Sequence, residues 1–150
     1  MEIKRVYSHK KAFLDLLLLA DEQESMIDHY LEQGELFVLY DQGVKTVCVV
    51  VKVQERVYEI KNLATDPSFQ GKGYGKAMVE YIFQLYQKIA DYLLVGTGDS
   101  PLTIPFYEKC GFSYSHRVPN FFVDFYDHPI YEAGKQLIDM VYLKKDFVSG

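Results

Sequence analysis

The pattern of apolar and polar positions changes several times along the chain, and each change marks an element. Residues 2–7 predict a first strand, residues 9–20 a leucine-rich helix, and residues 21–34 a second helix. In that second helix Met26, Ile27, Tyr30 and Leu31 recur at helical spacing, and Gly34 is the expected C-terminal stop. ELFVLYD (35–41) and VKTVCVVVKVQ (44–54) read as strands, and the QG between them reads as a hairpin turn. A further strand, 56–65, runs through the loop DPSFQGKGYG into a helix over 76–90, where Met78, Val79, Ile82, Leu85, Tyr86 and Ile89 share one face. DYLLVGTGD (91–99) predicts another strand, and residues 101–109 a short helix with Gly111 as its left-handed cap. The strands 112–118 and 139–147 are expected to pair antiparallel across a long aromatic and acidic stretch, 119–138. Stretches of that length in compact domains are often functional.

The order is mixed α/β, with parallel pairing expected around the 76–90 helix because a crossover normally joins parallel neighbours. No internal repeat or interdomain linker interrupts the 150 residues, so one domain over 1–150 is expected. Apolar residues make up 49% of the chain, which excludes a disordered segment. No apolar run is long enough to span a bilayer, and the N-terminus lacks a cleavage pattern, so no membrane partner or signal peptide is expected. The formal net charge of −5, without a polybasic run, argues against nucleic acid as a partner. Cys48 and Cys110 form no disulfide framework, and a cytoplasmic protein with free thiols fits that usage.

The stretch QGKGYGK (70–76) is the strongest chemical signal in the chain. Bare backbone N–H groups at the start of a helix can hold phosphate oxygens, helped by the helix end and by Lys72 and Lys76. It is not the dinucleotide GxGxxG, since Lys76 occupies the third glycine site, and no GK[ST] closes it as a Walker A loop. Phosphate cradling alone leaves a nucleotide, a flavin and a coenzyme open.

QGKGYG resembles the Q/R-x-x-G-x-G/A signature of the GCN5-related N-acetyltransferases, the GNAT superfamily, with Gln70, Gly73 and Gly75 at its fixed positions. FYEKCGF (106–112) is similar to the second hallmark of that family, and the order of elements fits over nearly the whole chain. The resemblance implies the acyl-CoA N-acyltransferase fold, a centrally splayed β-sheet flanked by helices, and acetyl-CoA as co-substrate. It implies that the loop Gln70, Gly71, Lys72, Gly73, Tyr74, Gly75 and Lys76 wraps the pyrophosphate of coenzyme A. The pantetheine arm would lie between the 57–64 and 92–98 strands, bonded to backbone at Leu63, Ala64 and Thr65. A homodimer joined through strand ends is compatible with such a scaffold.

Acetyl transfer to an amine needs a neutral amine, a stabilised oxyanion and a proton for the departing thiolate. Tyr107 matches the tyrosine that serves as general acid in such enzymes; read without the motif it is a packed aromatic between Phe106 and Phe112. The oxyanion donor is expected to be a backbone N–H near Leu63 or Ala64. Glu59 stands where some family members carry a catalytic glutamate, and is either a base or a carboxylate paired with Lys61 or Lys52. Cys110 as a ping-pong nucleophile has nothing in the sequence to activate it, so direct attack by the amine is the simpler mechanism. The 9–34 helix pair and the 119–138 stretch, with Asp124, Asp127, His128 and Glu132 among Phe121, Phe122, Phe125, Tyr126 and Tyr131, would build an acceptor wall suited to a small cationic amine. A peptide acceptor and a non-catalytic acyl-CoA-binding domain are the competing readings. His29, His116 and His128 lie on different elements without ligand spacing, so no metal site is expected.

Overall fold

The computed structural model describes residues 1–147. Its elements are β1 (Glu2–Val6), α1 (Leu14–Ala20), α2 (Glu24–Asp28), β2 (Glu35–Tyr40), β3 (Val44–Gln54), β4 (Val57–Thr65), α3 (Tyr74–Tyr86), β5 (Tyr92–Gly98), α4 (Ile104–Cys110), β6 (Ser113–Val118), α5 (Phe121–Asp124), β7 (Tyr131–Glu132), β8 (Lys135–Gln136) and β9 (Met140–Asp146). One mixed sheet of seven strands runs β1-β2-β3-β4-β5-β9-β6. Among the described residues its only parallel neighbours are β4 and β5, joined by the α3 crossover.

Helices cover both faces of the sheet, which is why β2 and β3 read as continuous apolar runs instead of alternating ones. Phe37, Leu39, Cys48, Val50 and Ile60 pack against Met78, Val79, Ile82 and Tyr86 of α3 and Tyr107 of α4. On the other face Leu36, Val38, Val47, Val49 and Ala64 pack against Leu17, Ile27, Tyr30 and Leu31. A smaller cluster of Phe122, Ile130 and Leu137 sits under the 119–138 stretch, which is no plain loop but carries α5 and the β7–β8 hairpin.

The feature that positions the site is a β-bulge in β4. Val49 faces Asn62 and Val50 faces Ile60, which leaves Lys61 as an extra residue. The bulge reverses the facing of the strand. Ile60 packs toward α3, whereas Ala64 joins the core under α1 and Asn62 reaches the Leu17 carbonyl. Pairing of β4 with β5 ends just there, at Ile60–Val95, although the two strands continue to Thr65 and Gly98. The expected splay is present, and the bulge supplies its local cause.

Some element boundaries differ from expectation. α3 begins at Tyr74, not Lys76, with Gly73 as its N-cap at a φ of 88°. The expected second helix over 21–34 is α-helical only at Glu24–Asp28 and continues as turns. Gly34 is not a left-handed stop: a Cβ there would meet Val49 Cγ1 at 2.7 Å and the Tyr30 carbonyl at 2.8 Å, so close packing requires it. What closes that segment is the buried Lys10, whose ammonium donates to the carbonyls of Leu31, Glu32 and Gly34 at 3.0, 3.0 and 2.8 Å. That uses all three of its donors. Gly111 is the left-handed cap of α4 as expected, at a φ of 111°.

Candidate active site

Where β4 and β5 separate, a cleft of about 1250 Å³ opens. That exceeds the roughly 300–1,000 Å³ of an ordinary small-molecule pocket and leaves room for two ligands. Its walls include the ends of both strands that no longer pair with each other (61–65 and 96–98), the glycine loop, one side of α4, the link between α1 and α2, and parts of the 119–138 stretch. Backbone groups on the β4 edge beyond Ile60 have lost their β5 partners and offer a strand-like edge to an extended ligand.

The glycine loop leads into the cleft at the start of α3. Gly71 and Gly73 take φ values of 78° and 88°, which side-chain-bearing residues rarely adopt. The first helical bond of α3 runs from Ala77 N–H to the Gly73 carbonyl, so the N–H groups of Tyr74, Gly75 and Lys76 are free of helix partners. A Cβ on Gly75 would approach Phe106 Cζ at 3.3 Å, so the missing side chain lets the helix start pack on α4. Two side chains brace the loop: Gln70 Nε2 donates to the Thr65 carbonyl at 3.2 Å, and the Tyr74 hydroxyl donates to Asp41 at 2.7 Å.

Leu63, Ala64, Thr65, Gln70, Gly71, Gly73, Tyr74, Gly75 and Lys76 all line the cleft. Lys72 does not. Its ammonium lies 5.5 Å from the centre of the Phe69 ring, and its side chain is exposed. Tyr107 lines the cleft from α4, with its ring edge-on to Phe106 and Phe112. Burial pushes its phenol well above the ordinary tyrosine value. Glu59 also lines the cleft and is only 7% exposed. Burial raises its carboxyl, against the opposing pull of the Lys61 ammonium 3.3 Å away. Lys52, the other expected partner, pairs instead with Glu55 at 3.1 Å.

A family model described as an acetyltransferase (GNAT) domain matches residues 32–114, more than half of the chain. This chain belongs to the GNAT acetyltransferase family. Among GNAT relatives, the uncharacterized N-acetyltransferase YvbK of Bacillus subtilis (strain 168) is 38% identical over 135 residues, covering 88% of this chain and 87% of that protein. A Bacillus subtilis acetyltransferase solved in complex with CoA superposes with a TM-score of 0.89 at 35% identity, covering 98% of this chain and 99% of its own. A GNAT family acetyltransferase from Elizabethkingia anophelis, solved with acetyl-CoA bound, gives 0.89 at 33% identity over 97% of each chain. The protein is thus an enzyme of the GNAT class, and the expectation drawn from QGKGYG and FYEKCGF holds at that level.

The wall expected to face an acceptor is built differently from expectation. Asp124, Asp127 and His128 lie outside the cleft. His128 instead bonds Asp127 with one ring nitrogen and Glu22 with the other, the latter at 2.9 Å, and so ties the 119–138 stretch to the start of α2. Of the four polar residues expected there, Glu132 lines the cleft, as do Phe121, Phe122, Tyr126 and Tyr131. Asp21, Tyr30 and Asn62 also line it, and the sequence pattern singled out neither Asp21 nor Asn62. Their signal was weak: Asp21 opens an acidic run that looks solvated, and Asn62 sits inside a strand run. Cys110 lines the cleft with its thiol raised by burial, which is the wrong direction for a nucleophile. Among the described residues no three His, Cys, Asp or Glu side chains gather where they could hold a metal, and no helix is long and apolar enough to cross a membrane.

Proposed function

We propose that this GNAT enzyme moves the acetyl group of acetyl-CoA to a primary amine of a small, cationic acceptor by direct attack within a ternary complex. The observation that carries the reading is the coincidence of the opened β4–β5 pair with a glycine loop whose free N–H groups face the same cleft. A phosphate-bearing ligand with a long thin arm matches both features, and two relatives at 33–35% identity were solved with CoA or acetyl-CoA. Gln70, Gly71 and Gly73–Lys76 would hold the pyrophosphate, and the free edge at Leu63–Thr65 would hold the pantetheine arm and polarise the carbonyl. Lys72 contributes only long-range positive charge from outside the cleft.

Acetyl-CoA supplies the acyl group already activated as a thioester. The amine nitrogen forms the new C–N bond, the C–S bond breaks, and the sulfur leaves as a thiolate that accepts a hydrogen bond from the Tyr107 phenol. Burial keeps that phenol protonated at every physiological pH, so the donor is always loaded. The same burial makes full transfer uphill, and its benefit therefore lies in a hydrogen bond that strengthens as charge develops on sulfur. Glu59 takes the proton lost by the amine, directly or through water. Burial raises its carboxyl and so makes it a stronger base than an exposed glutamate.

The test is a calorimetric titration with acetyl-CoA, with dephosphorylated pantetheine and NAD as controls, followed by amine-dependent release of free thiol. Micromolar binding that requires the pyrophosphate, with thiol release on adding amines, is the expected result. Equal binding of NAD would sink the coenzyme reading. Tight acetyl-CoA binding with no turnover on any amine would favour a non-catalytic acyl-CoA-binding domain.

A further inference from the structure

Part of the cleft wall is a polar cluster that the transfer chemistry leaves unused. Asp21 comes from the link between α1 and α2, Tyr30 from the turns after α2, Asn62 from β4 just past the bulge, and Tyr126 from the 119–138 stretch. Asn62 Nδ2 donates to the Leu17 carbonyl at 2.9 Å and to the Tyr30 hydroxyl at 3.1 Å. That fixes the amide orientation, because turning it over would set Oδ1 against the Leu17 carbonyl. The Tyr30 hydroxyl donates onward to Asp21 Oδ2 at 3.1 Å, and the Tyr126 hydroxyl donates to Asp21 Oδ1 at 2.8 Å.

Every donor in the cluster is therefore committed, and only acceptors remain. Asn62 is 2% exposed, and its Oδ1 has no hydrogen-bond partner. The Asp21 carboxylate, linked to Asn62 through the Tyr30 hydroxyl, keeps further lone pairs. Acceptors alone, next to a carboxylate and walled by tyrosine rings, match a ligand group that is all donor and positively charged.

We infer that Asp21, held in place by the Tyr30–Asn62 chain and with the negative end of the unpartnered Asn62 amide in the wall behind it, binds a protonated nitrogen of the acceptor, and that this nitrogen is not the one acetylated. The two roles make opposite demands. The attacking amine must be neutral, whereas a nitrogen seated on a carboxylate is stabilised as a cation. The acceptor therefore carries at least two amino groups and belongs to the diamine or larger polycation class. A monoamine leaves the cluster unfilled, and a zwitterionic amino acid brings a carboxylate toward Asp21.

This inference rests on the amine-acetylation reading, and the experiment separates the two. A series of α,ω-diaminoalkanes of increasing length is assayed against the monoamines of matching length, by thiol release from acetyl-CoA and by calorimetric binding to the protein saturated with CoA. The expected result is that at least one diamine exceeds its monoamine by about tenfold or more in kcat/KM, the scale of a charge-assisted hydrogen bond. Asp21→Asn should collapse that ratio through the diamine KM more than through kcat, and Asp21→Glu should restore part of it. A purely structural Asp21 would lower diamine and monoamine turnover together. A wild-type ratio near one overturns the inference whatever the variants do, and so does a preference that survives Asp21→Asn. If diamines bind in an Asp21-dependent way but no amine is acetylated, the subsite stands and the transfer reading falls.

Discussion

The two ends of the cleft are built on opposite principles. The glycine end is one contiguous stretch, Gln70–Lys76, and what it presents is main chain: N–H groups freed by left-handed glycines and a helix start. The other end, where we propose the acceptor sits, presents side chains, and its members Asp21, Tyr30, Asn62 and Tyr126 meet across sequence separations of up to 105 residues. A main-chain site is indifferent to most side chains but intolerant of an added Cβ. A side-chain site is the reverse: one changed functional group alters what it binds while the backbone stays put. The difference explains how one scaffold can keep its coenzyme and change its acceptor.

The largest effect is expected between the two ends. Tyr107→Phe should lower kcat by about a hundredfold or more, within the usual range for a lost general acid. Its melting temperature should hardly move, because a Phe ring keeps the packing on Phe106 and Phe112 at centroid distances of 5.1 and 5.6 Å. An unchanged rate removes Tyr107 from the chemistry.

Glu59→Gln should cost roughly a hundredfold at the pH optimum, the low end for general acid–base catalysis. Burial holds the Glu59 carboxyl above its ordinary value, and the base form is lost as pH falls through that raised value. The acidic limb of the kcat/KM profile should therefore lie above the normal carboxylate range, and Glu59→Gln should flatten it. A limb that persists in the variant belongs to another group.

Gly73→Val sharpens the comparison most directly. A side chain at a φ of 88° costs about 1–2 kcal/mol; a free loop that relaxes away from that φ must regain it to bind, which predicts an acetyl-CoA affinity loss of up to roughly 5–30-fold by calorimetry. Acceptor KM at saturating acetyl-CoA should stay close to wild type. Equal damage to both would mean that the two ends are not separable.

The smallest effect belongs to the tie between Glu22, His128 and Asp127. Hydrogen bonds to Asp127 and then Glu22 raise the His128 pKa. The stabilisation is fully present below the unfolded histidine value of about 6.5 and fades as pH rises through the raised folded value. His128→Ala should thus lower the melting temperature slightly at mildly acidic pH and not at all at alkaline pH, and added salt should shrink the difference because the groups are exposed. A difference that grows with pH would contradict this assignment.

Much of the fold is legible in the sequence. The strands 35–41, 44–54, 56–65 and 91–99 and the amphipathic helix after the glycine loop all appear, with ends shifted by a few residues. Their signals are local: β-branched runs, a turn dipeptide, apolar positions at helical spacing. The second helix was overextended because Tyr30 and Leu31 are buried at helical spacing although the backbone there has passed into turns. Lys10, which no local pattern marks, is the buried cap of those turns.

What the sequence alone determined is whatever lies within one short stretch: the glycine loop, the capped helix that carries Tyr107, and through them the family. A positive φ or a helix face is a property of neighbouring residues, so its residue types announce it. Only the tertiary structure decided where β4 bulges, which of the acids reach the cleft, and that Asn62 ends with an unpartnered oxygen. Those outcomes depend on partners brought from elsewhere in the chain by packing, and a linear pattern carries no record of which distant group will satisfy, or fail to satisfy, a buried polar atom.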